Sequence, residues 1–330
     1  MLIQSNFKPA WWLSNAHMQT FYPALFRKLA VPLNLKRERL ITQDKDFIDI
    51  DWYGEKGKPL VILLHGLTGS SKSSYILGLQ HFLHNNGLRS VALNFRGCSG
   101  EPNDLARGYH SGDTDDLNFL YQIIRQREPN TSMAVIGFSI GGNVLLKWLG
   151  EQGTKLSLNA AVAISVPLVL AECATKLDNG FSKIYRHNLI QGLIYYVQRK
   201  HAHLEKIGAE KEANIISQLG DISDIKSFWQ YDDRVVAKLH GFKNVHHYYQ
   251  LSSSRQFLNK IKIPTLLIQS LDDPFMSKNI IPSIDELSSS VTLEVTNKGG
   301  HVGFVSGKNP LKPEYWLDQR ILDFIKQKEN

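Results

Sequence analysis

The chain has 330 residues, 42% of them hydrophobic and 21% charged, enough to bury a sizeable core in one large α/β domain or two smaller ones. Its 38 Lys and Arg exceed its 31 Asp and Glu, giving a formal charge of +7. No Lys/Arg run forms a nucleic-acid arm, which argues against DNA or RNA as a partner and leaves peripheral contact with an anionic membrane surface as what the balance suits.

Cys98 and Cys173 make no disulfide framework and suit a reducing compartment. The N-terminus lacks a basic start followed by an apolar run, so no secretory signal is expected. The longest apolar run, Ala160–Ala171, contains Pro167 and falls short of the ~18 residues of a membrane span. The expected location is cytoplasmic.

In chain order, Glu38–Trp52 reads as an antiparallel hairpin at a sheet edge. Apolar runs of strand length follow at Leu60–Leu64, Ser90–Phe95, Met133–Phe138, Ala160–Val166, Thr265–Ser270 and Val291–Val295. Most are apolar on both faces, as in a parallel sheet covered on both sides. Between them Ser74–Asn86, Asp115–Gln126 and Ile140–Glu151 repeat apolar residues at helical spacing. This alternation predicts an α/β fold with a mostly parallel, doubly wound sheet. It breaks once. From Leu168 to Lys262 no buried strand is apparent, and helical patterns run over Tyr185–Arg199 and Leu204–Leu219. The expectation is a core of residues 1–167 and 263–330 and a helical cap insertion of residues 168–262. The apolar segment Ile190–Val197 is expected to face inward, with Leu193 and Tyr196 lining an acyl pocket.

The strongest local signal is Gly137-Phe-Ser-Ile-Gly141, followed by Gly142, between a predicted strand and a predicted helix. The chain must turn within a residue or two, which strains the serine backbone and leaves no room for flanking side chains. The turn exposes the Ser139 hydroxyl at a helix N-terminus as a candidate nucleophile. A nucleophilic serine needs a base, and the base an orienting carboxylate, in the order Ser, Asp, His. The strand Thr265–Ser270 ends in Asp272 and Asp273, and His301 follows the strand Val291–Val295; both loops lie where open α/β sheets place their sites. Both aspartates remain candidates on this reading. The oxyanion hole would use two backbone N–H groups, from Ile140 and from Leu67 in the loop His65-Gly-Leu-Thr-Gly69. His201-Ala-His203 and His246-His247 lack accompanying ligands at metal spacing, so no metal is expected.

These motifs resemble those of the YheT-like branch of the α/β-hydrolases. The resemblance spans nearly the whole chain: Phe7-Lys-Pro-Ala-Trp-Trp-Leu13, Asn15-Ala-His-Met-Gln-Thr20, Asp46-Phe-Ile-Asp-Ile-Asp-Trp52, His65-Gly-Leu-Thr-Gly69, Asn94-Phe-Arg-Gly-Cys-Ser-Gly-Glu-Pro-Asn103, Tyr109-His-Ser-Gly112, Gly137-Phe-Ser-Ile-Gly-Gly-Asn143, Asp272-Asp-Pro-Phe275 and Gly299-Gly-His-Val-Gly-Phe304. It implies an α/β-hydrolase fold, hydrolysis of carboxylic esters, and a triad of Ser139, Asp273 and His301. The family pattern sets the acid directly before a proline, which favours Asp273 before Pro274 and leaves Asp272 as a turn cap. Ser277 stands where many members carry proline. Arg96 is expected to support the site by pairing with a carboxylate such as Asp113, and His17 and Gln19 to be packing or hydrogen-bonding partners.

The function read from the sequence is a cofactor-free serine esterase that forms an acyl-enzyme with a short-chain ester or acylglycerol. Two alternatives stand beside it: an acyltransferase on the same fold, and a non-catalytic binding protein that keeps the hydrolase pocket.

Overall fold

A computed structural model describes residues 1–29 and 32–329. Its main sheet holds β1 (Leu2–Gln4), β2 (Lys36–Ile41), β3 (Phe47–Tyr53), β4 (Leu60–Leu64), β5 (Arg89–Asn94), β6 (Met133–Phe138), β7 (Ala160–Ile164), β8 (Thr265–Ser270) and β9 (Val291–Thr296). The strand order is β1-β9-β8-β7-β6-β4-β5-β3-β2. β2 and β3 pair antiparallel, as does β3 with β5, and every other neighbouring pair is parallel. The direction of winding reverses between β4 and β6, so the loops that follow these two strands flank the crevice of the sheet.

β4 is buried at all five positions, and its alternation divides it between two cores. Leu60, Ile62 and Leu64 join a cluster with α3 (Asp115–Arg127) and α4 (Ile140–Gln152). Val61 and Leu63 join a cluster with α2 (Ser74–Asn85) and the C-terminal helix Trp316–Glu329. The predicted strands and core helices fall within two residues of their observed bounds. β7 stops at Ile164, short of the predicted Val166, because Ser165 turns the chain at φ 50°. β1 is an element that the sequence does not announce. Its three residues pair with Leu293–Val295 at the far edge of the sheet. The same holds for a helix, α1 (Ala16–Phe26); Asn15 caps it by accepting from the His17 and Met18 N–H groups.

Between β7 and β8 the described residues form helices and turns: α5 (Leu170–Leu177), α6 (Ser182–Lys206), α7 (Glu210–Ser217), a π-helical turn at Asp232–Val236, and a helix at Val245–Ser252. The predicted helix Leu204–Leu219 is not continuous. α6 ends at Lys206, and Gly208 just beyond, with a φ of 72°, allows the closing bonds Gly208 N–H to Glu205 O and Ala209 N–H to Leu204 O before α7 starts afresh. These helices have an apolar cluster of their own, which includes Ile190, Leu193, Ile194 and Val197.

The Asn94–Asn103 motif joins this cluster to the sheet. Arg96 is buried. It pairs with both oxygens of Asp116 at 2.8 Å and with Asp44 at 2.8 Å and Asp46 at 3.2 Å, not with Asp113. Asp113 is taken by Arg107 at 2.9 Å. The Arg96 carbonyl accepts from the Tyr196 hydroxyl at 3.0 Å. A Cβ on Gly97 would lie 2.2 Å from the Tyr196 ring, so glycine is required there, and its φ of 75° demands the same. Lys200 adds bonds from Nζ to Leu105 O at 2.7 Å and Arg107 O at 3.0 Å. No helix among the described residues is long and apolar enough to cross a membrane.

Candidate active site

Ser139 sits between β6 and α4 with φ 53° and ψ −121°, a strained conformation for a side-chain-bearing residue. The flanking glycines are explained by space. A Cβ on Gly137 would meet Gly141 O at 2.4 Å, and one on Gly141 would meet both Leu64 O and His65 O at 2.6 Å. One on Gly142 would meet Val166 at 2.6 Å. The serine N–H donates to Ile164 O at 2.8 Å, which fixes the elbow to β7.

The structure brings Ser139, His301 and Asp273 together. His301 Nδ1–H donates to Asp273 Oδ2 at 2.8 Å, which leaves Nε2 to accept from Ser139 Oγ at 3.0 Å. Asp273 is buried, and its other oxygen accepts from Phe275 N–H at 2.8 Å. Asp272 takes a different place. Its Oδ1 accepts from Gly300 N–H at 3.0 Å and from the Ser270 hydroxyl, so it ties the two loops together without touching the imidazole. Ser277 accepts from Asn279 N–H at 3.1 Å and caps the turn Lys278–Ile280.

The loop carrying His301 rests on α1. His301 N–H donates to Thr20 Oγ1 at 2.9 Å, and Val302 N–H to Ser165 Oγ at 3.0 Å. Buried Gln19 accepts from Val305 N–H at 2.7 Å and donates to Leu13 O and Val305 O. A Cβ on Gly303 would meet Gln19 O at 2.2 Å. The expected hydrogen-bonding role of Gln19 is therefore a scaffold for the histidine loop. His17 bonds through Nδ1 to the Tyr185 hydroxyl at 3.0 Å, away from the imidazole.

The loop after β4 leaves the Leu67 N–H free among the described residues. Gly66 N–H donates to the Tyr75 hydroxyl at 2.8 Å and Thr68 N–H to the Tyr109 hydroxyl at 3.1 Å, while Leu67 N–H between them has no partner among the described residues. Ile140 N–H likewise has none. His65 braces this loop. It accepts from Phe95 N–H at Nε2, 3.1 Å, and donates from Nδ1 to Gly66 O, 2.8 Å. Burial pushes its pKa down to about 4, so the ring stays neutral and keeps both bonds.

A cavity of about 270 Å³ opens onto Ser139 and His301, and Leu67 and Ile140 line it. Its apolar wall comes from Leu170, Ala174 and Leu177 of α5, with Leu189 and Phe228. Leu193 and Tyr196, expected in this wall, are elsewhere: Leu193 is buried in the helical cluster and Tyr196 is held at Arg96. One turn earlier on α6, Leu189 takes the cavity position. No group of three or more His, Cys, Asp or Glu side chains is arranged to hold a metal among the described residues. The His-x-His pair diverges, His201 to Ser217 and His203 to Asp104. His247 accepts from Lys243 N–H, and His246 packs on Trp229.

Residues 59–308 match the α/β-hydrolase fold family. The chain is 35% identical to YheT, a candidate esterase of Escherichia coli strain K12, over 97% of this chain and 93% of that one. It is 28% identical to the human phospholipase ABHD3, over 98% of this chain and 79% of that one. Among solved structures it is similar to an esterase of Pyrococcus furiosus, with a TM-score of 0.57, 20% identity, and coverage of 89% of this chain and 91% of that one. The chain belongs to the α/β-hydrolase fold family, in its YheT-like branch.

Proposed function

We propose that the protein is a serine hydrolase of carboxylic esters, with Ser139 as nucleophile, His301 as general base and then acid, and Asp273 as the carboxylate that orients the imidazole. The observation that carries this reading is His301, bonded to Asp273 at 2.8 Å on one nitrogen and to Ser139 at 3.0 Å on the other. In the mechanism, His301 Nε2 takes the Ser139 proton as Oγ attacks the ester carbonyl carbon. The carbonyl oxygen gains the negative charge, and the free N–H groups of Leu67 and Ile140 supply its hydrogen bonds. The imidazolium returns the proton to the departing alcohol, leaving an acyl-enzyme. A water, deprotonated by the same nitrogen, then releases the acid and regenerates the serine.

Residues 168–262 act as a cap over residues 1–167 and 263–330, with α5 as the acyl wall. At about 270 Å³ the cavity stands at the low end of small-molecule pockets, which favours a short-chain ester or a monoacylglycerol over a lipid with two long chains. Contact with a lipid surface is supported by α1, whose Thr20 and Pro23 line the cavity while Met18, Leu25 and Phe26 are exposed. Exposed Phe181, Lys183 and Ile184 open the neighbouring α6, and Phe181 packs on His17 of α1. Exposed aromatic and aliphatic side chains beside lysines fit an anionic bilayer. The function is tested by hydrolysis of p-nitrophenyl esters and monoacylglycerols of graded chain length. Turnover that favours short and medium chains is expected, and no turnover of any ester overturns the reading.

A further inference from the structure

The cavity that opens onto Ser139 contains one carboxylate that the hydrolytic mechanism does not use. Asp232 opens the π-helical turn Asp232–Val236, and such widened turns recur at functional sites. Its Oδ2 accepts from the Tyr249 hydroxyl at 2.6 Å, and Tyr249 lines the same cavity. No second protein donor reaches this carboxylate among the described residues, and no Lys or Arg side chain lines the cavity. The cavity wall also holds apolar Leu170, Ala174 and Phe228. Burial pushes the Asp232 carboxyl up to about 7, and the Tyr249 bond offsets only part of that. A polar group kept in an apolar cavity costs free energy unless it is fully hydrogen-bonded. Asp232 is half-buried, so its second oxygen is open to water or to a ligand group that enters the cavity.

We propose that Asp232 and Tyr249 form a polar subsite that selects esters carrying a free hydroxyl away from the reacting carbonyl. A hydroxyl suits either state of the acid. The carboxylate accepts from it, and the protonated form accepts through its carbonyl oxygen and can donate back. An ammonium group is favoured chiefly by the anion, which in turn repels an anionic head group. The subsite makes no covalent contact and is a specificity determinant for the reaction proposed above, on which it rests. The hydroxyl can belong to the alcohol, as in a monoacylglycerol, or to the acyl chain.

The experiment compares three esters of matched length: a monoacylglycerol, the propyl ester of the same acid, and the propyl ester of the corresponding hydroxy acid. Wild type and the double variant Asp232→Leu/Tyr249→Phe are assayed. Removing both partners avoids leaving one buried group unpaired. The readout is the ratio of kcat/KM for each hydroxylated ester to that for the plain ester, which partial misfolding cannot change because both substrates see the same preparation. Wild type is expected to prefer one hydroxylated ester, and the double variant to lose at least about tenfold of that preference. The ester whose advantage disappears identifies the source of the hydroxyl. A wild type with no preference, or a double variant that keeps it, overturns the subsite while leaving the hydrolase reading intact. A wild type that cleaves none of the three overturns the hydrolase reading itself, and the subsite with it.

Discussion

The ring of Phe275 lies flat on the imidazole of His301, with centroids 4.1 Å apart and planes within 7° of parallel. Phe275 also donates its backbone N–H to Asp273, so one residue contacts both the imidazole and the carboxylate bonded to it. The stack forms a wall that stops the imidazole from rotating out of line. Phe275→Ala removes the wall and keeps the backbone bond. We expect kcat to fall about 10- to 100-fold, because small misplacements of a catalytic group carry losses of that order. Steady-state kinetics beside a melting curve checks this; an unchanged kcat in a folded variant would show that the stack does not position His301.

Asp273→Asn and Asp272→Asn separate two adjacent residues with different partners. The first removes the anion facing His301 Nδ1 and favours the wrong tautomer. The equivalent change in a serine protease costs about 10⁴ in kcat, and a loss of that order is expected here. Asp272→Asn keeps an oxygen for Gly300 N–H and Ser270, so its loss should be about tenfold or less. The kcat values of the two variants decide the matter, and a larger loss at Asp272 would reverse the assignment.

Much of the fold and site is legible in the sequence because the signals are local. β4 reads as LVILL, and α4 begins directly after G-F-S-I-G, so the strand, elbow and helix are consecutive in sequence. Partners brought together by packing are harder to read. The sequence offers Asp113 as a nearby carboxylate for Arg96, yet Asp116 at the start of α3 faces it, and Arg107 claims Asp113. Apolarity alone puts Leu193 and Tyr196 in the pocket, but the orientation of α6 gives that role to Leu189. α1 is hidden by Pro23 within it and by apolar residues all round, with no clean stripe. β1 is three residues long and pairs with a strand 291 positions away, a contact that periodicity cannot reveal.

His240 packs edge-on against His110, with ring centroids 4.6 Å apart. Burial, followed by neighbouring positive groups such as Arg107 and Lys200, pushes its pKa down to about 2. Its folded pKa thus lies below the ordinary 6.5. The folded state refuses a proton that the unfolded chain accepts, so the associated stability is full above about pH 6.5 and is lost as pH falls below it. With the ring only partly covered, this is on the order of 1 kcal/mol at pH 5. His240→Phe keeps an aromatic ring and removes the proton site. Melting temperatures at pH 7 and pH 5 should show a smaller acid-induced drop in the variant than in the wild type; equal drops would mean that His240 is not kept neutral by the fold.

Leu25 and Phe26 are 62% and 61% exposed on α1, so changing them leaves the core untouched. Leu25→Asp/Phe26→Asp should leave the melting temperature within a degree or two, as surface substitutions cost roughly 0.5 kcal/mol or less. It should sharply weaken sedimentation with vesicles containing phosphatidylserine. Equal sedimentation of wild type and variant, or none of either, would remove α1 as the lipid-facing element.

The central claim is that Ser139 is the nucleophile. Its most direct measurement is the site of covalent labelling by a fluorophosphonate, read by peptide mass mapping and paired with ester turnover. The account predicts a single adduct on Ser139 in the wild type, with loss of hydrolysis in proportion to labelling. In Ser139→Ala it predicts no adduct and kcat lowered by several orders of magnitude in a folded protein. Labelling at another serine, or near wild-type turnover in Ser139→Ala, would contradict it.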